Sequence, residues 1–170
     1  MNPNSGNGGP PQTLVLIVED NEDDVLLLNH AFQEAGITNP VRLARTGEDA
    51  IAYLAGTEPY SDWNKFPLPA IVLLDITLPG LSGLDVLAWI RKTSGLQNLR
   101  VSIRTGSCFG QEIKLAYELG ANECNTKPVG YNKLVEMMKA FRVHWLDFSQ
   151  APEVWRTLKQ TSPRLSSWAN

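Results

Sequence analysis

Acidic residues follow two apolar runs of the chain, at the points where strands would end. Glu19 and Asp20 follow the run from Leu14 to Val18, and Asp75 follows the run from Ala70 to Leu74. Three carboxylates that meet in one crevice repel one another and resist ionisation. A divalent cation removes that repulsion, and a few carboxylates with retained waters suit Mg²⁺. The pattern therefore predicts a magnesium site where the two runs end.

Two further groups that could do chemistry follow later strand-like segments. Thr105 comes directly after the segment from Arg100 to Arg104, and Lys127-Pro128 follows the segment from Glu123 to Thr126. Carboxylates, a metal ion, a hydroxyl and a lysine together make a site for phosphoryl transfer, in which the cations neutralise the phosphate oxygens. A carboxylate can itself be the nucleophile and form an acyl phosphate.

The elements that must position these residues alternate between strand and helix. Apolar runs covered on both faces are typical of parallel strands, and they alternate here with segments of helical periodicity. The pattern predicts five βα units and an α/β doubly wound parallel sheet. In the flavodoxin-like strand order 2-1-3-4-5, the crevice lies beyond the carboxyl ends of strands one and three. The predicted helices begin near Glu22, Gly47, Leu84 and Gln111, and the fifth carries Leu134, Met138, Phe141 and Trp145.

Composition narrows the class of protein. The chain has 170 residues and a formal net charge of −3, without the basic patch typical of a nucleic-acid-binding domain. No run approaches the roughly 18 apolar residues that cross a bilayer. We expect a disordered leader over residues 1–12, one domain over 13–148 and a tail over 149–170. The two cysteines, Cys108 and Cys124, lack the spacing of a zinc site and are expected to be reduced thiols of a cytoplasmic protein.

These four motifs together resemble the receiver domain of response regulators, over about residues 14–146. The resemblance rests on Glu19-Asp20 after strand one, Asp75 with Pro79 and Gly83 after strand three, and the two later motifs. The long loop before strand three and the ending Trp145-Leu146 are most similar to the single-domain receivers associated with phytochromes.

The resemblance implies a role for each residue. Asp75 is the phosphoacceptor for a sensor histidine kinase of the phytochrome type, and the chain is not an enzyme beyond weak self-phosphorylation and self-dephosphorylation. Magnesium is bound by Asp20, by Asp75 and by the backbone carbonyl of Thr77, and Glu19 holds it through water. The resemblance also implies that Lys127 pairs with the acceptor and then with the phosphoryl group. Thr105 is expected to swing toward the phosphoryl oxygen. The Lys127–Pro128 peptide is expected to be cis.

Four positions depart from the family's usual residues. Cys124 stands where a tyrosine or phenylalanine is usual, and a cysteine is too small to move inward with Thr105 as that ring does. Asn125 and Arg104 each replace an apolar residue. Because a buried unpaired guanidinium is costly, we expect Arg104 to reach solvent or an acid. Gly106 leaves room beside the phosphoryl group and is expected to admit water.

Signalling is expected to occur through protein binding, because no output domain follows helix five. We expect a downstream protein target and a homodimer formed through helix four, strand five, helix five or the tail. Met137, Met138, Phe141, Trp145 and Phe148 are the apolar residues that such an interface would share with the core. No nucleic acid or membrane is expected as a partner. The alternative is a degenerate receiver that serves as a phosphorylation-independent docking module.

Two other classes of protein fit the residues poorly. A phosphatase of the haloacid-dehalogenase type needs a second aspartate two residues after the nucleophile, where this chain has Thr77. A flavin or nucleotide binder needs a glycine- or hydroxyl-rich phosphate loop after strand one, where this chain has the acidic run of residues 19–24.

Overall fold

The computed structural model describes residues 13–106 and 110–147. The predicted leader, the predicted tail, Cys108 and Phe148 lie outside the described residues. Within them, the chain forms five strands: β1 (Val15–Val18), β2 (Val41–Ala44), β3 (Ile71–Asp75), β4 (Arg100–Thr105) and β5 (Glu123–Thr126). They pair in parallel in the order β2-β1-β3-β4-β5, which confirms the predicted sheet.

The connecting segments form the predicted helices: α1 (Glu22–Glu34), α2 (Gly47–Ala55), α3 (Gly83–Lys92), α4 (Gly110–Glu118) and α5 (Tyr131–Phe141). Three of these helices are capped at their N-terminus by a polar side chain. Asn21 and Thr46 each accept a hydrogen bond from a backbone N–H of the first turn, and Ser82 forms a capping box with Asp85. These caps pair backbone donors that a helix start leaves unpaired. No helix among the described residues is both long enough and apolar enough to span a bilayer.

The core has two halves, one on each face of the sheet. Successive strand residues point to opposite faces, so Leu16 and Leu74 pack with α2, α3 and α4, whereas Ile17 and Leu73 pack with α1 and α5. This two-sided cover explains why β1 and β3 are apolar almost throughout. The long loop before β3 packs over the domain, because its residues Tyr60 and Phe66 both contact Tyr53 of α2.

Two boundaries differ from the sequence prediction in ways that concern the site. Strand β4 extends through Thr105, which pairs in register with Thr126 of β5. Helix α5 ends at Phe141 and continues as a π-helical segment, Arg142–Leu146, that carries Trp145. Met138 and Phe141 are buried in the core, and Met137 and Trp145 pack against it. Met138 and Phe141 are therefore core residues, whereas Met137 and Trp145 stay partly exposed, and their part in an interface stays a prediction. The exposed large apolar residues of α4, the β5–α5 loop and the π-helical segment are Leu115, Tyr117, Val129 and Val143.

Candidate phosphoacceptor site

Lys127 stands at the centre of a group of carboxylates at the carboxyl edge of the sheet. Its Nζ atom donates to Glu19 Oε2 at 3.0 Å and to Asp24 Oδ2 at 2.6 Å, and it forms an ion pair with Asp75 Oδ2. One oxygen of each carboxylate lies within 4.8 Å of the others. The three acids come from the end of β1, the first turn of α1 and the end of β3. The sheet order therefore brings together groups that are far apart in the chain.

Burial and charge act in opposite directions on the ionisable groups of this cluster. The side chains of Glu19 and Asp75 are only 1% and 3% exposed. Burial raises the pKa of Glu19 above its ordinary value, although its hydrogen bond from Lys127 acts against that rise. Burial alone would lower the pKa of Lys127, but hydrogen bonds to Asp24, Asp75 and Glu19 outweigh it and the pKa ends above its ordinary value. Lys127 is therefore a fixed positive charge at neutral pH.

Asp75 is held through both of its carboxylate oxygens. Oδ1 accepts a hydrogen bond of 3.0 Å from the backbone N–H of Thr77, and Oδ2 contacts Lys127. Gly83, the first residue of α3, donates its backbone N–H to the carbonyl of Ile76, the residue after Asp75, at 2.9 Å. The position of Asp75 is thus set by β3, by the turn after it and by the start of α3.

Thr105 lies at the end of β4, buried and adjacent to this cluster through the backbone. Its carbonyl accepts a hydrogen bond of 2.7 Å from the N–H of Lys127, which ties the two residues together. Its hydroxyl donates to Glu112 Oε2 of α4 at 3.1 Å. The next residue, Gly106, is exposed, and a Cβ atom added there would meet none of the described residues within 4 Å. That this space lies beside the phosphoryl group stays a prediction.

Arg104 places a second buried cation beside the carboxylates. Its Nη1 atom lies 3.6 Å from Glu19 Oε2, and its side chain is 5% exposed. Burial lowers the pKa of Arg104, and the charges of Glu19, Asp75 and Asp24 oppose that change. The expectation that Arg104 would reach an acid is confirmed.

Asp24 belongs to the carboxylate cluster of the site, whereas Asp20 does not. Sequence reasoning treated Asp24 as one of several acids in the first turn of α1, where acids favour the helix dipole. A role of Asp24 in the site was indicated by its position three residues after Asn21, the residue that caps α1. The backbone N–H of Asp24 donates to Asn21 Oδ1 at 3.0 Å, beside the end of β1. Asp20 is exposed and is not one of the three clustered carboxylates. Its direct binding of the metal stays a prediction, as does that of the Thr77 carbonyl.

Two expectations concern β5 and the residues after it: a cis Lys127–Pro128 peptide and a reduced Cys124 thiol. The Lys127–Pro128 peptide is not cis, so that prediction is wrong; the cis peptide bond of the described residues is Glu58–Pro59. Because cis and trans forms before proline differ by only about 0.5–1 kcal/mol, sequence alone does not decide the isomer. Cys124 is a free, partly buried thiol whose N–H donates to the Tyr117 hydroxyl at 3.2 Å. Burial and the nearby charges of Glu112 and Glu123 raise the pKa of Cys124.

The donor set fits a hard divalent cation. The three clustered carboxylates supply only oxygen ligands, which Mg²⁺ prefers, and one of them is buried with a raised pKa. Such a group gains from a nearby positive charge. The chemistry of these residues therefore matches a magnesium-assisted site.

Comparison with known proteins agrees with this geometry. The family model of the response regulator receiver domain matches residues 15–139. This chain belongs to that family. Among curated receiver proteins, response regulator Rcp1 of Synechocystis is 28% identical over 148 residues, which are 87% of this chain and 98% of Rcp1.

Solved structures of response regulators, among them one of a cyanobacterial phytochrome response regulator, share the fold. The phosphorylated cyanobacterial phytochrome response regulator RcpA has a TM-score of 0.76 and 28% identity, over 83% of this chain and 99% of RcpA. Response regulator RPA3017 of R. palustris red light signalling has a TM-score of 0.76 and 31% identity, over 81% and 96% of the two chains. The Mn²⁺-bound form of Rcp1 has a TM-score of 0.74 and 28% identity, over 82% and 99%. The predicted similarity to phytochrome-associated receivers is confirmed.

Proposed function

We propose that this receiver accepts a phosphoryl group from a sensor histidine kinase on Asp75, with Mg²⁺ bound, and signals by phosphorylation-dependent protein binding. The observation that carries the proposal is the contact of Lys127 with Asp75, Glu19 and Asp24 at one edge of the sheet. A carboxylate nucleophile, clustered oxygen ligands and a fixed ammonium are the parts that phosphoryl transfer to an aspartate needs.

In the transfer, the bond between phosphorus and the kinase histidine nitrogen breaks and a bond between phosphorus and an Asp75 carboxylate oxygen forms. Lys127, which contacts Oδ2 before transfer, then pairs with a phosphoryl oxygen. The hydroxyl of Thr105 leaves Glu112 and donates to a second phosphoryl oxygen. A charge-assisted hydrogen bond of this kind is worth about 1.5–3 kcal/mol, enough to shift a two-state equilibrium by about tenfold or more.

The residues proposed to hold Mg²⁺ are Asp20 and Asp75, with the Thr77 carbonyl and with Glu19 through water. Asp24 supplies a further carboxylate. When bound, the ion supplies positive charge against the phosphoryl oxygens. That the related Rcp1 has been solved with Mn²⁺ supports an oxygen-ligated divalent site here.

The test is phosphorylation by acetyl phosphate with MgCl₂, followed by the mass of the intact protein. We expect one added phosphoryl group on the natural protein and none on Asp75→Asn. The matched control is Asp62→Asn, which removes an exposed carboxylate of the long loop and should leave labelling unchanged. Equal labelling of the Asp75→Asn protein would refute the assignment of the acceptor.

A phosphorylation-independent docking module is the second candidate, and the buried pair of Arg104 with Glu19 favours it. This pair gives the acids a cation that does not depend on metal or phosphate. The two candidates are separated by pull-down of a downstream partner with the beryllofluoride-treated and untreated protein. Binding that requires beryllofluoride supports signalling by phosphate, and equal binding supports docking. The same measurements, made by native mass spectrometry, test the proposed homodimer.

A further inference from the structure

Arg104 is a buried cation beside the cluster of carboxylates. It lies on β4 directly opposite Asp75 of β3, so its side chain leaves the sheet on the same face as the phosphoacceptor. From there it reaches Glu19, with Nη1 at 3.6 Å from Oε2. Its guanidinium is thus placed against the same carboxylate oxygen that Lys127 binds.

Arg104 reduces the excess of negative charge in the cluster. Glu19, Asp24 and Asp75 are three acids, and Lys127 is one cation. With Arg104 included, one negative charge is left instead of two. In a site where Glu19 and Arg104 are almost fully buried, that difference is weakly screened by water.

A cavity beside Arg104 offers its guanidinium an alternative position. Its Nε atom is buried and has no hydrogen-bond partner in the part of the chain that the structure describes. The side chain lines a cavity of about 920 Å³ between β4, β5 and α5. Ser102, Glu123 and Asn125 line the same cavity, and they offer oxygen acceptors to a guanidinium that moves away from Glu19.

We propose that Arg104 is a displaceable counter-cation of the phosphoacceptor site, which pairs with Glu19 when metal is absent and weakens the binding of Mg²⁺. The inference rests on the proposed function, because it concerns the metal of the same site. Positive charge that enters the cluster repels the guanidinium, and the cavity beneath α5 receives it. Arg104 therefore connects the occupancy of the acid cluster to the packing under α5. It is a positioning residue and does not contact the reacting atoms.

The first test measures the affinity for Mg²⁺ by calorimetry at a fixed pH near 8. Arg104→Met keeps the length and removes the charge, and we expect it to bind Mg²⁺ about tenfold more tightly than the natural protein. Arg104→Lys keeps the charge and should stay within about threefold of the natural protein. The control Lys114→Met removes an exposed cation of α4 and should change the affinity by less than about twofold.

The second test is made on the natural protein, and a variant serves only to assign one signal. The buried, unpartnered Nε–H of Arg104 is followed by ¹H–¹⁵N NMR during titration with MgCl₂, and its signal is assigned by its loss in Arg104→Lys. We expect the signal to shift with saturation as the guanidinium changes its neighbours. This measurement decides the question if Arg104→Met does not fold.

The outcomes separate this inference from the proposed function. If the natural protein and Arg104→Met bind Mg²⁺ equally, or if the Arg104 signal does not move on saturation, the counter-cation role is wrong and the phosphoacceptor site is unaffected. If neither protein binds Mg²⁺ at all, the proposed function and this inference both fail. If Arg104→Met and Arg104→Lys tighten binding equally, the residue acts through packing and the inference is overturned.

Discussion

A Cβ atom added to Gly83 would lie 2.0 Å from the backbone carbonyl oxygen of Asp75. The same atom would lie 2.9 Å from Ile76 Cα, so the obstruction is backbone and cannot rotate away. The start of α3 therefore packs directly on the residue that we propose as the phosphoacceptor. The closeness explains why the motif after β3 has a glycine at this position.

Gly83→Ala is expected to lower the free energy of unfolding by about 3 kcal/mol, because the new methyl group must push β3 and α3 apart. Urea denaturation measures the change. Gly106→Ala is the matched control, since its Cβ meets no described residue within 4 Å, and its stability should change by less than about 0.5 kcal/mol. A Gly83→Ala protein as stable as the natural one would contradict the described packing.

Lys127→Met removes the ammonium that contacts three carboxylates. We expect the metal-free protein to lose about 3 kcal/mol of unfolding free energy, since removing one partner of a buried ion pair leaves the other charges uncompensated. Denaturation in a chelator measures the loss, and MgCl₂ should restore part of it. Lys133→Met, which changes an exposed lysine of α5, should lose little. Equal losses in the two variants would show that the cluster does not depend on Lys127.

The raised pKa of Glu19 makes stability depend on pH. A carboxyl whose pKa is higher in the folded protein contributes stability that is present below the unfolded value, 4.5, and is lost as pH rises through the folded value. Glu19→Gln does not titrate, so in metal-free buffer it should gain stability relative to the natural protein between pH 4.5 and neutral pH. Denaturation of both proteins at several pH values measures the difference. A difference that stays constant or declines over this range would show that the folded pKa is not raised.

Gly106→Ala is expected to keep its phosphoryl group longer than the natural protein. Among the described residues, nothing lies within 4 Å of a Cβ atom added at Gly106, and we expect this space to admit water that a methyl group would exclude. We expect the half-life of the acyl phosphate to increase at least about twofold, measured by intact mass after removal of the donor. Gly110→Ala adds a methyl group at the start of α4 that likewise meets no described residue, and it is the control. Unchanged decay in Gly106→Ala would reject the role of this space.

Much of this protein could be read from its sequence because strand periodicity and strand ends are local properties. The apolar runs before Glu19 and Asp75 determine β1 and β3, and the parallel sheet then brings their carboxyl ends to one edge. Thr105 and Lys127 follow from the same rule, and the backbone hydrogen bond between them shows it. The two-sided parallel sheet and its core follow from the alternation of strands and helices, whereas the strand order was taken from the flavodoxin-like fold.

The contacts within the site were decided by the tertiary structure. Whether Asp20 or Asp24 joins the cluster depends on the direction in which α1 leaves β1, and the pairing of Arg104 with Glu19 depends on which buried charge lies nearest across the sheet. The isomer of the Lys127–Pro128 peptide was likewise not determined by the residue types, since cis and trans forms before proline differ by only about 0.5–1 kcal/mol. These features arise from side chains far apart in sequence that share one buried volume, where burial and charge must balance together. A one-dimensional pattern records the residue types available for that balance but not the distances that determine it.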